Sequence, residues 1–93
     1  EALHWGLLRE VCASHNLLEQ TWELARHLES GPPLVYAAIK EIVREAEAMR
    51  FQDALNRVTR RQFATVDTLY GSEDLLEGQN AFAEKRDPVW KGR

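Results

Sequence analysis

The groups that could start chemistry in this sequence are few, and their spacing limits them. His4, His15 and His27 lie 11 and 12 positions apart, so no helix presents two of them at the one-turn spacing that metal ligands need. No metal site is expected. Glu23 and His27 do stand one helical turn apart and could pass a proton between them, but pairs of this kind are mostly solvated neighbours on a helix face. Cys12 would be a nucleophile only beside a base that lowers its pKa, and the apolar run around it favours packing. Ser14 and His15 are adjacent without an acidic partner, and a hydrolytic triad is an arrangement in space, not in sequence. No catalytic residue is assigned on these grounds.

Two basic clusters remain. Arg57, Arg60 and Arg61 fall within about one turn of each other and could grip a phosphate through their guanidinium forks, or simply form a solvated face. Lys85 and Arg86, followed by Lys91 and Arg93, form the second cluster, which is interleaved with Phe82 and Trp90. Aromatic surface beside cations suits a ligand that joins a flat ring to phosphates.

Helices must position these groups. Asn16 is a suitable N-cap for a helix over Leu17 to Glu29, whose apolar stripe is Leu17, Leu18, Thr21, Trp22, Ala25 and Leu28. Ser30-Gly31-Pro32-Pro33 ends it, with Gly31 expected in the left-handed conformation and Pro33 opening the next helix. That second helix, Leu34 to Met49, places Val35, Ala38, Ile39, Ile42, Val43, Ala46 and Met49 on one face. A third helix is predicted from Gln52 to about Leu69. Gly71 ends it and Ser72 caps a fourth, with Glu73 and Asp74 in its first turn, where the helix dipole favours acid. The fourth runs to about Arg86, with Lys85 and Arg86 in its last turn, and Asp87-Pro88 stops it. Upstream, Gly6 separates a helical turn from Leu7 to Val11, which reads as a short strand without an evident partner.

Composition bounds the class. The chain has 93 residues, 44% of them apolar and 29% charged, which is the make-up of one folded domain. The expected fold is therefore all-α, three to four helices over residues 1–93, with a possible strand near residues 7–11. Twelve basic against 15 acidic side chains give a net charge of −3, so the chain lacks the basic excess that nucleic-acid binding draws on. One cysteine forms no internal disulfide and points to a reducing compartment. No apolar run approaches the roughly 20 residues of a membrane span, and no signal peptide is evident. A cytoplasmic protein without nucleic-acid or membrane partners is expected. The start at Glu1, in the middle of an apolar pattern, suggests a piece of something longer.

The last stretch is specific. From Ser72 to Arg93 the sequence carries Asp74, Glu77-Gly78, Ala81-Phe82, Glu84-Lys85-Arg86, Pro88, Trp90 and Gly92, and in this it closely resembles the C-terminal signature of the enoyl-CoA hydratase/isomerase (crotonase) superfamily. Ala2 to Leu7 looks like the family's Ala-x-x-x-Gly-Leu entry into a strand, and the helix before Gly31-Pro32-Pro33, with Lys40 after it, fits a further family segment. The resemblance implies the C-terminal helical domain of a crotonase fold. The family's N-terminal spiral core, with its catalytic Glu residues and oxyanion hole, would lie upstream, so none of the carboxylates here takes a catalytic role. It also implies that these helices build a trimer, or dimer of trimers, and help to cover the site of a coenzyme A thioester substrate, with no further cofactor. Lys85 would approach a CoA phosphate and Phe82 the adenine, whereas the family's aromatic on the preceding helix is replaced near Val66. The parent reaction would be hydration of a 2-enoyl-CoA, and this chain alone would be inactive. Two other readings stand beside it: a non-enzymatic helical module that binds protein partners, and a nucleic-acid binder built on Arg57, Arg60 and Arg61. The motif over residues 72–93 discriminates against the first, and the net charge against the second.

Overall fold

The computed structural model describes all residues, 1–93. It contains five α-helices: α1 (Leu17–Glu29), α2 (Pro33–Ala46), α3 (Phe51–Thr59), α4 (Ala64–Tyr70) and α5 (Glu73–Glu84). No strand is present. The all-α expectation holds, and the strand expected near residues 7–11 does not form. A strand is stabilised by the ladder of a neighbour, and an isolated one gains nothing to offset its ordering. The chain divides into two compact units, Glu1–Ser30 and Gly31–Arg93.

In the first unit the opening residues make one helical turn, with the Trp5 amide donating to the Glu1 carbonyl at 2.9 Å. Gly6 closes it at φ 74°, a conformation in which a Cβ would be strained. The amides of Gly6 and Leu7 then reach back to the carbonyls of Leu3 and Ala2. A 3-10 turn at Ser14–Asn16 leads into α1. Asn16 precedes α1 as expected but makes no side-chain cap. No residue of α1 is fully buried, and its predicted stripe, with Leu17, Leu18, Trp22 and Leu28, remains exposed.

The second unit begins at Gly31, which is not left-handed as the sequence suggested. Its lack of a side chain matters differently, because a Cβ there would collide with the Tyr36 ring. Pro33 opens α2 as expected, since the first turn of a helix has no use for the missing N–H. Helix α2 packs on α3 and α4. The core between them is small: Ala38, Phe63 and Val66, flanked by half-buried Ile42, Val58 and Leu69. Ile39 and Val43, although on the apolar face of α2, stay exposed, so the stripe is wider than the core it serves.

The single helix predicted from Gln52 to Leu69 is two helices. Helix α3 ends in a Schellman pattern, in which the amides of Arg61 and Gln62 donate to the carbonyls of Val58 and Arg57. Arg61 occupies the left-handed position at φ 54°, which glycine usually takes. Two long-range interactions outweigh that cost. Phe63 turns inward and becomes the most deeply buried large side chain, 1% exposed. The first turn of α4 is then capped by Glu41 of α2, whose carboxylate accepts from both the amide and the hydroxyl of Thr65. Those two bonds, the hydroxyl's first, hold the Glu41 carboxyl below the usual range.

Candidate functional site

Helix α5 starts where the sequence places it. The Ser72 hydroxyl accepts from the Leu75 amide at 3.1 Å and donates to the Leu69 carbonyl at 2.7 Å, so one side chain ends α4 and begins α5. The helix stops at Glu84, two residues short of expectation. Lys85 takes the left-handed position at φ 54°, and the amides of Lys85 and Arg86 return to the carbonyls of Phe82 and Ala81. Lys85 and Arg86 therefore lie beyond the helix rather than in its last turn.

This reversal sends the tail back along α5. The tail has no regular secondary structure, so its amides need partners from elsewhere, and carboxylates of α5 supply them. Asp74, 3% exposed, accepts from the Lys91 amide at 2.7 Å and the Gly92 amide at 2.8 Å, one on each oxygen. The Asp74 amide donates in turn to the Arg93 carbonyl at 3.1 Å. Glu77 accepts from the Val89 amide at 2.8 Å and from both terminal nitrogens of Arg86, at 2.6 and 2.9 Å. The Arg86 guanidinium, and after it the Val89 amide, hold the Glu77 carboxyl down to about 2. Glu77 and then Glu84 raise the pKa of Arg86 further. Lys91 and Arg93 both pair with Glu73, at 3.1 and 3.5 Å, and lower its pKa in that order. Gly78 completes the clamp: a Cβ there would meet the Trp90 ring at 3.2 Å.

The second basic cluster is thus sorted by partner. Arg86, Lys91 and Arg93 are engaged by acids of α5. Lys85 alone of the four enters no ion pair. One turn before it, Phe82 is 88% exposed, so its ring adds to the apolar surface rather than to the core. Phe82 also lines an apolar cleft of about 420 Å³, together with Leu34 and Val35 of α2, Leu69 of α4, Leu75 and Gly78 of α5, and Trp90. The sequence marked Phe82, Trp90 and Lys85 by composition. It did not mark Asp74 and Glu77 as the groups that fold the tail onto the cleft.

The other candidates separate. Arg57 pairs with Glu45 at 3.3 Å and stacks over Phe63 at 4.3 Å, while Arg61 stacks over Tyr70 at 4.1 Å. These two guanidinium groups are spent on the fold. Glu23 and His27 line a polar cavity of about 320 Å³ with Arg9, Glu10 and Gln20. No hydrogen bond joins His27 to Glu23, and no group of three or more His, Cys, Asp and Glu is arranged to hold a metal ion. No helix is long and apolar enough to cross a membrane.

An all-helical chain with this clamp on its last helix is a member of the enoyl-CoA hydratase/isomerase family, whose pattern it matches over residues 1–93. Carnitinyl-CoA dehydratase of Salmonella heidelberg (strain SL476) is 43% identical over 93 residues, all of this chain and 36% of that protein. Among solved structures, an enoyl-CoA hydratase from Geobacillus kaustophilus HTA426 is 34% identical with a TM-score of 0.84, over 99% of this chain and 34% of that one. The enoyl-CoA hydratase of Bacillus anthracis is 28% identical with a TM-score of 0.82, again over 99% of this chain and 34% of its own. The chain thus spans about a third of the length of the relatives it matches. Its helices have the fold of the C-terminal domain of crotonase enzymes.

Proposed function

We propose that these residues form the C-terminal helical domain of a cytoplasmic enzyme that hydrates 2-enoyl-CoA thioesters, and that Phe82 and Lys85 are its contribution to the CoA site. Phe82 offers a flat apolar face to the adenine, and Lys85 a cation to a phosphate. The observation that carries this is the sorting of the basic cluster: Lys85 is the one member with no acidic partner, beside the most exposed aromatic ring of the chain. An unpaired cation beside an uncovered ring supports this reading, since the two together match a phosphate and an adenine.

The acid/base pair and oxyanion donors of the reaction lie outside these residues in this reading, and the reaction needs no cofactor beyond the thioester itself. The exposed Leu17, Leu18 and Trp22 face of α1 supports a second role in oligomer assembly, as apolar surface of this kind is normally covered.

The test is kinetic. In the full-length enzyme, Lys85→Ala should raise KM for an acyl-CoA by roughly tenfold while kcat stays within about twofold, because a remote phosphate contact contributes mainly uniform binding. An unchanged KM removes Lys85 from the site. The 93-residue chain should not turn over crotonyl-CoA, and turnover by the purified chain would show that acid/base groups are present after all.

A further inference from the structure

Trp90 is gripped from both sides. The amide before it, that of Val89, donates to Glu77, and the amide after it, that of Lys91, donates to Asp74. These are charge-assisted bonds, the stronger kind, and they tie down the chain on either side of the indole. Residues 87–93 lie in no helix or strand, so bonds to α5, these two and those of Gly92 and Arg93 with Asp74, order the backbone there. Gly78 leaves the space the indole fills, and the indole in turn lines the cleft that Phe82 also lines.

We infer that Asp74 and Glu77 are positioning residues for ligand binding, acting through Trp90, whose indole they hold as one wall of the cleft. The ligand's identity rests on the CoA reading above; the geometry of the wall does not. Buried Asp74 is the dominant member, because each of its oxygens receives a tail amide and its own amide returns a bond to Arg93. Its replacement by Asn would keep one acceptor and turn an NH2 group toward a facing N–H, releasing the tail without removing helix-forming side chains.

The wall is read directly in the 93-residue chain. Trp5 and Trp22 are 66% and 57% exposed, so Trp5→Phe with Trp22→Phe leaves Trp90 as the sole indole at little structural cost. In that background Asp74→Asn should raise acrylamide quenching of Trp90 about twofold with the far-UV helical signal retained, since the buried acceptor is lost while the helix is not. Glu77→Gln, on the exposed side of the clamp, should move it in the same direction by less. Unchanged quenching in both variants overturns the inference.

The ligand arm uses the full-length enzyme. Asp74→Asn and Trp90→Ala should each raise KM for an acyl-CoA by roughly fivefold with little change in kcat, and the double variant should be no worse than Trp90→Ala alone, because Asp74 acts through the indole. Additive effects in the double variant refute that route, as does a loss confined to kcat. Lys85→Ala separates the two proposals: an unchanged KM there removes the CoA contact, while the quenching result still decides whether the carboxylates hold the wall.

Discussion

Gly78→Ala should change sign with the state of the tail. Gly78 lies inside α5, where exchanging glycine for alanine ordinarily gains about 1 kcal/mol through lower backbone entropy in the unfolded chain and better helix propensity. Against that, the new methyl would sit 3.2 and 3.5 Å from two ring carbons of Trp90, closer than van der Waals contact at the nearer atom. Overpacking of this kind costs about 1–3 kcal/mol when the neighbour cannot yield. Trp90 cannot easily yield, because the amides on both sides of it are tied to Glu77 and Asp74. Taking about 2 kcal/mol as the middle of the overpacking range, the net effect in the intact chain is a loss of about 1 kcal/mol. In a chain ending at Asp87 the indole is gone, only the helix term remains, and the same substitution should stabilise by about 1 kcal/mol. Urea unfolding followed by far-UV circular dichroism of the four proteins measures both values. Equal effects in the two backgrounds would refute the claim that the tail is rigidly clamped over Gly78.

Two further outcomes follow from the same contacts. Phe63, 1% exposed in a core of few residues, should cost about 3–5 kcal/mol when replaced by alanine. A unit of this size has only about 3–9 kcal/mol in total, so Phe63→Ala should lose a third or more of its stability in urea unfolding followed by circular dichroism; a loss under about 1 kcal/mol would contradict the assigned core. The second concerns acid. Because the Glu77 carboxyl is held down to about 2 from an ordinary 4.5, its contribution is complete above its unfolded pKa and is lost as pH falls from near 4.5 toward 2. Glu77→Gln should therefore flatten the fall of stability in that window, measured by thermal unfolding across pH, and leave the profile above pH 5.5 parallel to the parent. Glu41 and Glu73 are lowered as well and supply the residual slope.

Much of the fold was legible because its signals are local. The apolar spacing of α1 and α2, Pro33 at a helix start, and Gly71 and Ser72 as stop and cap depend on residues within a turn or two of each other. The break between α3 and α4 was not legible, since Thr59 to Ala64 contains neither glycine nor proline. It is imposed by the burial of Phe63 and by a cap from Glu41, 24 positions upstream of Thr65. Gly31 was read as a left-handed stop for want of any sign that Tyr36 would occupy its side-chain space. The site divides in the same way. The sequence marked a basic cluster mixed with aromatics, but which cation was free depended on pairings between residues as far apart as Glu73 and Arg93.

By itself, then, the sequence determined that this is an acidic, all-helical chain carrying a family signature in its last 22 residues, because composition, helix periodicity and caps act over a turn or less and a motif is read in one dimension. Only the tertiary structure decided which of its members the fold itself uses. Most of its members, Asp74, Glu77, Gly78, Arg86, Trp90 and Gly92, are consumed in holding the tail against α5. Phe82 and Lys85 are left over. That distinction rests on bonds between carboxylates and amides far apart in the chain, and such bonds exist only once the helix and its returning tail have been brought together.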